Sequence, residues 1–179
     1  MNNEVIDTAT SYPLYKEEVR DYLKEKFDNE CEILDVGAGC GNYYNLLHDF
    51  YNKIDAIEIF EPNIKNYELE NKYRKVYNID ICNFKYTFYD IIIFGDVIEH
   101  LSVKEAQNVL KYAFERCEEM IVAVPYMCPQ GEYGGNVYEI HKQDDLTKEN
   151  MLERYPMLKL LYADDKYGYY VKDVDYEES

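Results

Sequence analysis

Apolar and polar positions alternate between two periods along almost the whole chain. Val19, Tyr22, Leu23 and Phe27 recur at helical spacing within residues 14–27, with Pro13 placed as a first-turn proline. Apolar stretches of strand length follow at Cys31–Val36, Lys53–Ile59, Lys75–Ile79, Tyr89–Phe94 and Met120–Val124. Ile91, Ile92 and Ile93 have the unbroken apolar character of a parallel strand covered on both faces. Between these stretches the spacing predicts helices over Asn42–Phe50, Asn63–Glu70 and Val103–Cys117. The last of them puts Ala106, Val109, Leu110, Ala113 and Phe114 on one face. Residues 125–146 break the rhythm with Pro129, Gly131, Gly134 and Gly135, and are expected to form a long loop of the kind that usually carries function. A helix resumes over Thr147–Tyr155, with Thr147 as N-cap and Asn150 in the capping-box position. Leu158–Tyr162 and Tyr167–Val171 flank Ala163–Lys166 as a hairpin at the sheet edge, and Asp173–Ser179 reads as a solvated tail.

This alternation implies an α/β fold, a parallel sheet with helices on both faces. The 179 residues suit one domain, spanning 1–179. No apolar run approaches a membrane span, and Met1–Thr10, with Glu4 and Asp7, lacks the apolar core of a signal peptide. The five cysteines, Cys31, Cys40, Cys82, Cys117 and Cys128, are odd in number and form no CxxC pair. That argues against a disulfide framework or zinc ribbon, and for a reducing cytoplasm. Thirty-six acids against 19 bases give a net charge of −17, and no dense Lys/Arg cluster offsets it. A nucleic-acid partner is therefore disfavoured. The acids serve either as solubilising surface or as a pocket for a cation, and bulk charge does not choose between these.

Chemistry concentrates in Ile33-Leu34-Asp35-Val36-Gly37-Ala38-Gly39-Cys40-Gly41, a strand running into alternating glycines and then a helix. The glycines let the chain turn sharply and let a ligand approach the backbone, and the helix start offers N–H groups to its polar end. The spacing GxGxG is one residue shorter than the dinucleotide fingerprint, and Asp35 stands close before the turn. An acid there disfavours a pyrophosphate and favours an ammonium or sulfonium, which speaks against a nicotinamide-dependent dehydrogenase. Glu58, at the end of the second strand and roughly 20 residues after the turn, can accept both hydroxyls of a ribose or be a plain surface acid. Asp80, after the third strand, can accept an adenine amino group with Ile81 packed on the ring, or be an ordinary turn residue.

Taken in order, the glycine turn, Glu58, Asp80 and Tyr89-Asp-Ile-Ile-Ile-Phe-Gly-Asp-Val-Ile-Glu-His-Leu101 resemble the Rossmann-like, class I S-adenosylmethionine-dependent methyltransferases. The resemblance covers about residues 12–126, and more loosely the final hairpin. It implies a seven-stranded, mostly parallel sheet with the last strand antiparallel, and S-adenosylmethionine as cofactor. It places Asp35 at the methionine amino group, directly or through water, beside Gly37, Ala38, Gly39 and Gly41. Glu58 and Ile59 fall at the ribose, Asp80 and Ile81 at the adenine, and Gly95 and Asp96 at the methionine moiety and incoming acceptor. The segment Ser11–Tyr15 is expected to close over the cofactor or simply to pack.

An S-methyl group is already activated by its positive sulfur, so such an enzyme must chiefly place a nucleophile in line and keep water away. The catalytic candidates are Glu99 and His100, after the fourth strand, and His141 in the long loop. One reading is a general base or acceptor contact; a second is that Glu99 and His100 only cap the next helix or orient the loop. A third is a metal site, because Asp96, Glu99, His100 and His141 resemble the Glu-x-x-Glu-His…His set of small-RNA 2′-O-methyltransferases. Asp96 departs from that set, and no metal is assigned from sequence. The expected acceptor is a small or modest-sized molecule methylated on O or N, met by Tyr126, Tyr133 or Asn136 of the loop. The protein is expected to be a monomer or homodimer. A cofactor-binding protein without catalysis is the rival reading.

Overall fold

A computed structural model of the protein describes residues 15–176. One seven-stranded sheet organises it, in the order β3-β2-β1-β4-β5-β7-β6. The strands are β1 (Glu32–Val36), β2 (Lys53–Ile57), β3 (Lys75–Tyr77), β4 (Tyr89–Gly95), β5 (Cys117–Pro125), β6 (Leu158–Ala163) and β7 (Tyr167–Lys172). The first five pair in parallel, and β7 enters antiparallel between β5 and β6. Helices α1 (Lys16–Lys26), α2 (Asn42–Leu47), α3 (Glu61–Asn66), α4 (Leu69–Lys72), α5 (Val103–Phe114) and α6 (Lys148–Arg154) and three 3-10 turns complete the described elements. None is long and apolar enough to cross a membrane.

Successive strand residues point to opposite faces, so each strand feeds two cores. Ile33, Ile91, Ile93, Ile121 and Ala123 pack with α1 and α2 through Val19, Leu23, Tyr43 and Leu47. Leu34, Val36, Ile92, Phe94, Met120 and Val122 pack with α5 and α6 through Ala106, Leu110, Met151 and Tyr155. Parallel strands covered on both faces must be apolar throughout, and the isoleucine run of β4 is fully buried.

Local signals set most boundaries. Ser102 and Glu105 form a reciprocal capping box at the start of α5, and Thr147 and Asn150 form another at α6. Two predicted elements are corrected. The helix expected over Asn63–Glu70 is instead the pair α3 and α4, because Glu68 takes a left-handed φ of 50° between them. The helix expected to reach Cys117 ends at Phe114: β5 starts at Cys117, which pairs with Tyr89 of β4. Strand pairing across the sheet wins there over helical periodicity along the chain. β2 and β3 stop short of Ile59 and Ile79, and α2 ends at Leu47. The tail is less solvated than its composition suggests, since the Tyr176 ring packs edge-on against Phe114. Pro13 and most of Ser11–Tyr15 lie outside the described residues. Tyr15 lies within them and stacks on Tyr162.

Candidate active site

The parallel strands β1, β2 and β4 end along one edge of the sheet, and their carboxyl ends open onto a single cavity of about 790 Å³. This is where an open α/β sheet binds its ligand. Gly37, Ala38, Gly39, Glu58, Ile59, Asp80, Ile81, Gly95 and Asp96 all lie on its wall, with Glu99, His100 and His141. Of the predicted cofactor residues only Asp35 and Gly41 stand behind it.

The glycine turn takes its shape from backbone that side chains resist. Gly37 has a φ of +70°, and a Cβ on it would collide with Val97. The N–H groups of Gly37 and Ala38 donate to the Ile57 carbonyl, which ties the turn to β2. Gly41 caps α2 and is walled off by Lys72 and Leu69. Asp35 is buried beneath the turn, where the Tyr73 hydroxyl donates to its Oδ2 while Oδ1 has no hydrogen-bond partner. Burial pushes its carboxyl up to about 7, against the pull of Tyr73 and Lys16.

Glu58 is buried as well. Its two oxygens accept from the N–H groups of Gly39 and Phe60, each at 2.8 Å, so the acid also braces the turn. Burial raises its pKa, and those backbone donors hold it back. Asp80 caps the turn Ile81–Asn83 by accepting from Cys82 N–H at 2.8 Å. Its turn role is thus real, and it faces the cavity at the same time.

Past β4, Asp96 adopts a left-handed φ of 55°, and its Oδ1 accepts from the Tyr167 hydroxyl at 2.6 Å. A non-glycine residue held there is strained, and such strain gathers at functional sites. The 3-10 turn Ile98–His100 then brings Glu99 and His100 against the long loop. Glu99 is buried with neither carboxylate oxygen hydrogen-bonded, and burial followed by the charge of Asp96 drives its pKa well up. The His100 and His141 rings meet edge-on with centroids 4.7 Å apart. Burial, and then His141, bring His100 down to about 4. His141 Nδ1 donates to the Cys128 carbonyl at 2.5 Å, which leaves its Nε2 with the lone pair. One ligand atom from each of Glu99, His100 and His141 lies within 4.8 Å of the others. Neither Glu99 nor His100 caps α5, because Ser102 does.

Three contributors carry no signal in the sequence. Tyr73 reaches Asp35 from the end of α4. Tyr167 reaches Asp96 from β7. Gln143 is buried and donates to the carbonyls of Ile98 and Leu101, while its own carbonyl accepts from Tyr155 at 2.7 Å. It thereby fastens the loop to the turn that bears Glu99 and His100. Each acts across the fold, where neither periodicity nor motif spacing reports.

Residues 34–117 match the family model of the methyltransferase domain. An uncharacterized protein of Methanocaldococcus jannaschii is 34% identical over 105 residues, 57% of this chain and 45% of that protein, so the chain aligns with less than half of its length. Among solved structures, the methyltransferase domain of bacterial CtHen1-CN superposes with a TM-score of 0.65 at 20% identity, covering 89% of this chain and 97% of that one. An S-adenosylmethionine-dependent methyltransferase from Clostridium acetobutylicum superposes with a TM-score of 0.69 at 12% identity, covering 91% and 92%. Motif order, sheet topology and these superpositions agree on the fold: the chain has the Rossmann-like architecture of the class I methyltransferases, and the methyltransferase family model matches its glycine turn and the strands that follow.

Proposed function

We propose that the protein is a cytoplasmic S-adenosylmethionine-dependent methyltransferase that acts on O or N of a small or modest-sized acceptor. The observation that carries this reading is the convergence of the glycine turn, Glu58, Asp80, Asp96 and the Glu99–His100–His141 group on one cavity. When bound, S-adenosylmethionine supplies a methyl group already activated by its sulfonium. The chain's own residues do the rest. Glu58 takes the ribose hydroxyls, Asp80 and Ile81 the adenine, and Asp35 and Asp96 favour the cationic methionine end. Both imidazoles are held neutral by burial, and His141 Nε2 is the lone pair positioned to receive an acceptor's proton. The loop excludes water from the transfer.

Calorimetric titration with S-adenosylmethionine and S-adenosylhomocysteine tests the cofactor site. Micromolar binding that is lost in Asp35→Ala and weakened in Glu58→Gln supports the reading. Absence of binding by both ligands removes it. Cofactor binding without turnover over a broad acceptor panel would favour the rival, a non-catalytic cofactor-binding protein.

A second reading concerns a divalent cation. Two imidazoles and a buried carboxylate with no partner fit such an ion, and a charge there would relieve the desolvation of Glu99. Glu99, His100 and His141 would hold it, and it would polarise an acceptor hydroxyl as a Lewis acid. Mn²⁺ titration followed by electron paramagnetic resonance tests this: a stoichiometric site abolished in His100→Ala supports it, and signal from free ion alone removes it.

A further inference from the structure

The loop between β5 and α6 is built from polar contacts, yet it turns its apolar side chains outward. Gln130 donates to the backbone and side chain of Glu139, Asn136 donates to the Glu139 carboxylate, and His141 N–H returns to the Gln130 carbonyl. Gln143 pins the far end. Met127 sits at a left-handed φ of 46°. On this scaffold, Met127, Tyr133, Val137, Tyr138 and Ile140 are exposed, five of the eight exposed large hydrophobic side chains among the described residues. All but Tyr133 also line the cavity. Scattered surface hydrophobics are ordinary, but a contiguous group at a cavity mouth marks a binding surface.

Charge narrows the occupant. Among the described residues, Lys142 and Lys166 are the only lysines or arginines on the cavity wall, and Lys142 pairs with Glu105 at 3.4 Å. Six carboxylates share that wall: Glu58, Asp80, Asp96, Glu99, Glu105 and Glu139. Burial drives Glu99 toward its neutral form and Lys142 is taken up by Glu105, yet the remaining acids outnumber Lys166, so a phosphorylated acceptor would meet net negative charge.

We infer that the mouth of the cavity is a collar for an acceptor with an apolar, preferably aromatic, body and an uncharged or cationic hydroxyl or amine group, and not for a phosphorylated one. This names the substrate class of the methyltransferase proposed above and rests on that reading. The aromatic body lies against Val137, Tyr138 and Ile140, and its polar end enters toward His141.

The test uses the full chain saturated with S-adenosylhomocysteine, whose binding is measured first by calorimetry. The probes are 2-naphthol, 2-naphthylamine and 2-naphthyl phosphate, followed by saturation-transfer NMR. Saturable binding of the first two, with the phosphate ester about tenfold weaker or absent, is expected. Val137→Asp and Ile140→Asp should each weaken the first two by about tenfold, or about 1.4 kcal/mol, with cofactor affinity unchanged. Equal or tighter binding of the phosphate overturns the inference, as does failure of all three probes on cofactor-loaded protein. A stable dimer in light scattering that Val137→Asp dissociates also overturns it, since the collar would then be a protein interface. Failure of the cofactor titration itself would fall on the methyltransferase reading instead.

Discussion

Asp35 is the residue of the proposed site whose protonation matters most to a cationic ligand. Its carboxyl is pushed up to about 7 by burial, so below that pH it carries a proton in the cofactor-free protein. That proton must leave before a carboxylate can hold an ammonium, directly or through water. Affinity for S-adenosylmethionine should therefore fall as pH drops below about 7, by up to about tenfold per unit, and level off above it. Calorimetry between pH 5.5 and 8.5 checks this; a flat profile would take Asp35 out of the cofactor's reach. Tyr167 is the second decisive residue. Tyr167→Phe deletes the hydroxyl that fixes Asp96 and should lower kcat/KM about tenfold, while costing about 1–3 kcal/mol of stability. Kinetics and thermal melts on the same variant separate the two effects. The sequence singled out Asp35 and Asp96 as candidates because they sit near glycines at strand ends. It was silent on Tyr73 and Tyr167, which lie 38 and 71 residues from their partners and sit within a composition already crowded with tyrosine.

Among elements, the loop and the 3-10 turn behave as one piece, because the N–H groups of Lys142 and Gln143 both donate to the Glu99 carbonyl and Gln143 clamps its neighbours. Gln143→Ala takes the side-chain donor from the Leu101 carbonyl and the acceptor from the buried Tyr155 hydroxyl, which costs about 1–3 kcal/mol. The expected result is faster proteolysis within residues 127–141 and a raised KM for the acceptor, with cofactor affinity little changed. Limited digestion and calorimetry read these separately. Strands and capped helices were legible because apolar runs and capping boxes are local. The split between α3 and α4 was not, because nothing in Tyr67-Glu68 announces a left-handed backbone. Nor was the early start of β5, since Cys117 also continues the apolar face of α5. The loop's presence was plain from its glycines and prolines, but the clamp that shapes it was hidden in a single glutamine.

At the scale of the whole molecule, ligand binding to the folded state alone must raise its stability. At a cofactor concentration of about 100 times Kd the gain is about 2.7 kcal/mol. For a chain of this size that amounts to a rise in Tm of roughly 5–10 °C. Differential scanning fluorimetry checks it, and an unmoved Tm at saturating cofactor would contradict binding. The net charge of −17 sets a companion expectation. Heparin, a polyanion, should leave Tm unchanged, and stabilisation by heparin would mean that the basic residues gather more than the cavity wall indicates.

The placement of β7 between β5 and β6 has a consequence for how the protein is made. On a ribosome, β5 emerges long before its antiparallel neighbour, and Ile121–Pro125 pair with Tyr167–Val171 only afterwards. Until then an apolar strand edge is bare, the kind of edge that templates aggregation. Asp96 meanwhile lacks the hydrogen bond from the Tyr167 hydroxyl. A nascent chain halted before residue 167 would carry the complete glycine turn and Glu58, yet remain sticky and lack the Tyr167 hydroxyl at the cavity. The strand that completes the pairing of β5 also brings the hydroxyl that meets Asp96, so the sheet and the proposed site are finished in the same step.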